Sequence, residues 1–148
     1  MDKEFLDVMI PESMKQLGRG QTPDDYYAMG SDFLTAGMNN ENADALSVAM
    51  YCFEKAAEKG HAGAQGSLAS GLMSGMGVEK NIERAEFWAK KSAEQGDSNG
   101  MLGMGVCCFS KDDYDSAEYW LKKSVAAGNQ DAGVMLEQVM EMRRLLKR

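Results

Sequence analysis

Residues 85–97, AEFWAKKSAEQGD, return at 117–129 as AEYWLKKSVAAGN, with seven of thirteen positions unchanged. A third copy, AMYCFEKAAEKGH at 49–61, keeps Ala49, Lys55, Ala57, Glu58 and Gly60 in the same register. The copies start at 49, 85 and 117, steps of 36 and 32 residues. A period of this size marks a supersecondary unit that cannot bury its own apolar face and needs a neighbouring copy to do so. Within each copy one helical face reads small, large, variable, small: Ala85, Trp88, Ala89, Ser92; Ala117, Trp120, Leu121, Ser124; Ala49, Cys52, Phe53, Ala56. Small residues one turn either side of a bulky one let a neighbouring helix approach while the large side chain fills the gap.

Each copy is therefore the second helix of a pair. Gly60, Gly96 and Gly128 stand where a helix closes in a left-handed residue. Asn81 and Asp113 stand where the helices of the second and third copies are capped, and the first copy opens at Asn42 or Asp44. Four residues after each closing glycine a partner helix begins, with Ala64, Gly100 and Ala132 in register and Leu68, Met104 and Leu136 one turn later. An earlier partner helix, DDYYAMGSDFLTAG at 24–37, aligns through Met29, Gly30 and Phe33. The connection inside the middle unit is SGMGVEK, shortened to SKD in the next, which accounts for the drop in period.

The middle unit, AGAQGSLASGLMSGMGVEKNIERAEFWAKKSAEQG, resembles the Sel-1-like repeat, a relative of the tetratricopeptide repeat. The turn is carried by Gly75, Met76, Gly77 and Val78, and the second helix by Ala85, Trp88, Lys91 and Ala93. The resemblance extends over residues 22–136; Ala69, Asn81, Cys52 and the turn of the third unit depart from the family's pattern. It implies an all-α superhelical solenoid of helix pairs: a capping segment at 1–21, units at 22–60, 61–96 and 97–129, and a half repeat from 130 that forms a capping helix at 130–148. Structural repeat positions are Ala85, Trp88, Gly96, Ala117, Trp120 and Gly128. The amphipathic run 3–10 is expected to stop at Pro11 and to cover the first unit with Phe5, Leu6, Met9 and Ile10. Val134, Met135, Leu136, Val139, Met140, Met142 and Leu146 make a broad apolar face, a candidate surface for self-association through the last helix.

Composition narrows the function. No segment reaches the roughly 20 apolar residues of a membrane span, and the acidic start MDKEFLDVMIPES lacks the features of a signal peptide. Three cysteines, two of them adjacent, suit a reducing cytoplasm better than a disulfide framework. A net charge of −7 argues against a phosphate-binding surface, hence against nucleic acid. Arg143, Arg144, Lys147 and Arg148 crowd the last six residues, so residues 1–142 alone carry −11. A charged partner of that body is expected to be basic.

Chemistry is sparse. The single histidine, His61, follows a closing glycine and reads as a solvated loop residue. Cys52 takes the place of a packed tryptophan, and of Cys107 and Cys108 at most one can face inward, leaving the other open to oxidation. Gly75–Gly77 is a turn without the strand or the following Lys of a phosphate loop, and KDDYD at 111–115 lacks the ligand spacing of a calcium loop. No enzyme, metal or cofactor is expected. The expected function is a bacterial, cytoplasmic protein-binding module whose concave face grips a protein or peptide with Tyr26, Tyr27, Met73, Met101 and Phe109. The alternative is an immunity protein that neutralises a co-encoded basic toxin.

Overall fold

The computed structural model describes residues 2–147. Among them are eight helices and no strand: α1 (Lys3–Gln16), α2 (Pro23–Asn39), α3 (Ala43–Glu58), α4 (Ala62–Ser74), α5 (Ile82–Glu94), α6 (Ser98–Ser110), α7 (Tyr114–Ala126) and α8 (Gln130–Leu146). The pairs α2/α3, α4/α5 and α6/α7 stack in chain order, and α8 continues the stack against α7. The protein is an all-α repeat solenoid.

Local chemistry sets each boundary. Thr22 and Asp25 form a reciprocal capping box at the start of α2, and Asn42, Asn81 and Asp113 accept backbone N–H groups at the starts of α3, α5 and α7. At the three closing glycines φ is +89°, +86° and +95°. There the N–H of the following residue reaches back five positions, His61 to Ala56, Asp97 to Ser92 and Asn129 to Ser124, while each glycine N–H bonds the carbonyl three before it. This double bond closes a helix and aims the chain into the next. The residue after each glycine then caps the next helix: His61 Nδ1 accepts from Ala64 N, Asp97 from Gly100 N and Asn129 from Ala132 N. His61 is thus a half-buried structural cap rather than the solvated loop residue that its position suggested.

The core follows the pattern of the repeat. Ala49, Ala85 and Ala117 are fully buried, as are Ala56, Ser92 and Ser124 one side of the bulky position. The variable position is also fully enclosed, with a size matched by the first helix: Gly105 lies against Leu121, whereas its counterpart Ala69 shares a cluster with the smaller Ala89. Trp88 packs against both the first and second buried clusters, and Trp120 against the second, so each tryptophan ties adjoining parts of the stack together. Ser92 Oγ donates to the Ala62 carbonyl at 2.9 Å and Ser124 Oγ to the Ser98 carbonyl at 2.7 Å, the same tie within successive units. Gly77, at φ +73°, carries the middle turn against α3, where a Cβ would fall 2.4 Å from the Leu46 carbonyl oxygen.

The first helix departs from expectation. It passes through Pro11 and runs to Gln16, although proline leaves the Asp7 carbonyl without its helical N–H partner, a cost of about 3 kcal/mol. Tertiary packing outweighs that cost: Leu6, Ile10 and Met14 are buried along one face, with Met14, beyond the proline, fully enclosed. Phe5 and Met9, expected to cover the first unit, point to solvent. In α8, Val139 is fully buried, Met135 and Leu136 pack partly against the last cluster, and Val134, Met140 and Leu146 remain exposed.

Candidate protein-binding surfaces

The stack presents two unlike faces. α4 lies close to α6 and α6 approaches α8, while the second helices α5 and α7 do not meet in the same way. From α4 to α8 the first helices therefore form the crowded inner track of the superhelix, with the second helices α5 and α7 on its wider outer side.

The five residues expected to grip a partner fall into three separate buried clusters rather than one patch. Tyr26, Tyr27 and Met73 belong to the first cluster, Met101 to the second and Phe109 to the third. Tyr26 and Met101 are only 5% and 8% exposed, so their side chains order the helices and leave little to contact. Lys59 Nζ lies 5.5 Å above the Tyr26 ring, and burial pushes the Tyr26 hydroxyl above its ordinary pKa. Tyr27 is half-buried between Phe53, 5.7 Å away, and the stacked imidazole of His61 at 4.4 Å. Met73 Sδ meets Cys107 Sγ at 3.9 Å, and Phe109 stands edge-on to Tyr114 at 5.6 Å. Tyr27, Met73 and Phe109 keep part of their surface open.

Repeat register identifies inner-track residues that composition alone did not single out. Ser31, Ser70, Val106 and Gln138 occupy one register position on α2, α4, α6 and α8, nine residues after the caps Thr22, His61, Asp97 and Asn129, and all four are at least partly exposed. Leu102 on α6 is a further half-exposed apolar residue. The signal was present, since positions open to solvent in every copy recur at the same offsets as the buried ones.

On the outer side an aromatic residue and a lysine one turn later recur in each second helix: Tyr51 with Lys55, Phe87 with Lys91, Tyr119 with Lys123. Each ammonium lies over its ring, at 5.4, 5.0 and 5.1 Å. Such cation–π pairs need a lysine one helical turn from the ring, which the repeat supplies.

Groups able to do covalent chemistry are quenched. Cys52 is enclosed and its thiol is pushed up to about 12 by burial, and Cys107 to about 11 by burial and then the Glu86 charge. Cys108, half-buried, is raised by the same burial effect. None is a thiolate at neutral pH. Both imidazole nitrogens of His61 are engaged: Nδ1 accepts from Ala64 N at 3.0 Å, and Nε2 lies 3.2 Å from Asp24 Oδ1, so the proton sits on Nε2. Among the described residues no three His, Cys, Asp or Glu side chains gather as a metal site, and no helix is long and apolar enough to cross a membrane.

Comparison with known proteins places this geometry. No curated protein matches the chain. Among solved structures, a Sel1 repeat protein from Oxalobacter formigenes superposes with a TM-score of 0.65 at 23% identity, covering 78% of this chain and 48% of that one. A protective antigen of uropathogenic Escherichia coli strains, which displays an SLR fold, superposes at 0.54 with 21% identity, covering 82% of this chain and 34% of the other. The chain thus spans about half or less of the length of each. The Sel1 repeat family model matches residues 11–61, 62–97 and 100–129. Such repeats are in general modules of protein–protein interaction rather than catalysts. Three matched repeats, a fold shared with two solved repeat proteins and the capped helix pairs described above lead to one conclusion: the chain belongs to the Sel1 repeat family.

Proposed function

We propose that this protein is a non-catalytic binding module that holds a protein or peptide on the inner track of its first helices. The close approach of α4, α6 and α8 carries this reading, because it creates one continuous surface drawn from three units. Leu102 and Val106 supply its apolar contact on α6, and Met73 on α4, Phe109 on α6 and Tyr27 on α2 add part-open side chains. Tyr26 and Met101 act from beneath by fixing the helices.

Glutamate at both Leu102 and Val106 tests the reading. The double variant retains its helices by circular dichroism yet no longer retains from source lysate a protein that the wild type captures in stoichiometric amount. Capture that survives the double substitution refutes the inner track as the binding face. The acidic body, −11 over residues 1–142, favours a basic partner. A captured basic toxin encoded beside this protein, associating more slowly as salt is raised, identifies the module as its immunity protein.

A further inference from the structure

The first unit displays what an aromatic–lysine pair on a second helix can hold. There α1 lies against α3, and Asp7 of α1 accepts a hydrogen bond from the Tyr51 hydroxyl. Lys55 Nζ stands 3.2 Å from the same carboxylate oxygen while also lying over the Tyr51 ring. Leu6 and Ile10, either side of Asp7, are buried, and Tyr51 is left 6% exposed. An amphipathic helix that presents a carboxylate between apolar residues thus buries the ring and holds the ammonium, whose side chain stays 29% exposed.

The repeat builds this pair twice more and leaves it uncovered. Tyr119 and Lys123 stand in the register of Tyr51 and Lys55, and Lys123 Nζ donates to the Tyr119 hydroxyl at 3.2 Å, the same two groups without the carboxylate between them. Phe87 and Lys91 repeat the arrangement on α5. Phe87 is 54% and Tyr119 55% exposed, each a large apolar ring in water. Around them Lys90, Lys91, Lys122 and Lys123 are all exposed, a basic strip on a chain whose net charge is −7. Of these four, Lys122 is tied to Glu118, while Lys90, Lys91 and Lys123 have no ion pair among the described residues.

We propose that the outer face of α5 and α7 binds an acidic amphipathic helix of a partner protein in the manner in which α3 holds α1. The partner's carboxylate bridges the Tyr119 hydroxyl and the Lys123 ammonium, an apolar neighbour one position before it covers the Tyr119 ring, and further acidic residues meet the strip toward Lys91. Charge complementarity selects the occupant, since the basic strip repels basic helices and favours acidic ones. This surface lies on the opposite helices from the inner track, and neither reading depends on the other.

The chain's own α1 is the probe. A synthetic peptide with the sequence of residues 2–17 is titrated into the full-length, isotope-labelled protein to about 1 mM, where even weak contacts register by NMR. Saturable shifts at Tyr119, Trp120 and Lys123 are expected. They vanish for a peptide carrying Asp7→Lys, and Lys123→Glu in the protein weakens the peptide by about tenfold. Lys123 is exposed, so the variant is expected to fold, which the retained pattern of all other resonances verifies. Absence of shifts on α7, or shifts confined to α3 by exchange with the resident α1, or to the inner helices α4 and α6, overturns the proposal. Concentration-dependent dimerisation abolished by Tyr119→Ala assigns the face to a second copy and overturns it equally.

Discussion

Alanine at Gly100 is predicted to destabilise the protein while alanine at Gly133 stabilises it, although both glycines lie inside helices with ordinary helical φ. Replacing glycine by alanine in a helix is worth up to about 1 kcal/mol in favour of the variant. At Gly133 nothing lies within 4 Å of the new methyl, so that gain of about 0.5–1 kcal/mol stands alone. At Gly100 the methyl falls 2.5 Å from the Ala93 amide nitrogen and 2.5 Å from Ser92 Cβ. Both obstacles belong to the body of α5 rather than to a flexible tip, so α5 and α6 must part by about an ångström to reach ordinary contact. Overpacking of this kind costs about 1–3 kcal/mol, and the shift also strains the bond from Ser92 Oγ to Ala62, worth about 1 kcal/mol. The net expectation is a loss of about 2 kcal/mol, or about 4–8 °C in melting temperature for a chain of this length. Urea unfolding followed by circular dichroism separates the two variants, with midpoints moving in opposite directions at unchanged slope. A Gly100→Ala midpoint at or above wild type refutes the close seam between α5 and α6 from which the magnitude is drawn.

Further expectations follow from the ties between helices. Ser92→Ala and Ser124→Ala each cost about 1 kcal/mol by removing the tie from a buried hydroxyl to a half-buried carbonyl, whereas Ser70→Ala, on the exposed inner track, stays within about 0.5 kcal/mol of wild type; urea midpoints test all three. Iodoacetamide is expected to modify Cys108 first, at a rate that rises with pH, while Cys52 stays unmodified until the protein unfolds; mass spectrometry that finds Cys52 labelled in the native protein contradicts its enclosure. The Tyr51 hydroxyl, and then Lys55, hold the Asp7 carboxyl below the usual carboxylate range. Its folded pKa is therefore lower than its unfolded one, so its contribution is whole above the unfolded value and is lost as pH falls through the folded one. Protection factors of the α1 amides, which remove the intrinsic pH dependence of exchange, should fall on acidification through that window, and Asp7→Asn should remove that fall; α1 protection indifferent to pH in the wild type refutes the contact.

The repeat, the pairing of helices and most of their ends were legible because backbone chemistry writes them directly. Gly60, Gly96 and Gly128 sit at left-handed φ whatever packs around them, and Asn81 and Asp113 cap helices through atoms within three residues. Tertiary packing hid the rest. Pro11 reads as a stop, yet three buried side chains carry α1 through it. His61 reads as a loop residue because imidazole is an uncommon cap, and only the stacked Tyr27 and the nearby Asp24 fix it there. Tyr26 and Met101 look like contact residues on a helical wheel of one unit, but α1 and the neighbouring unit supply the elements that bury them. The aromatic–lysine pairs were spelled out in every copy, and their meaning emerges only where α1 covers one of them.

Hydrogen–deuterium exchange on the protein alone and on its complex with the captured partner tests the central claim most directly. The account predicts protection in peptides from α4 and α6 that contain Ser70, Leu102 and Val106, with α3 unchanged. Protection absent from α4 and α6 contradicts the inner track as the surface on which this protein works.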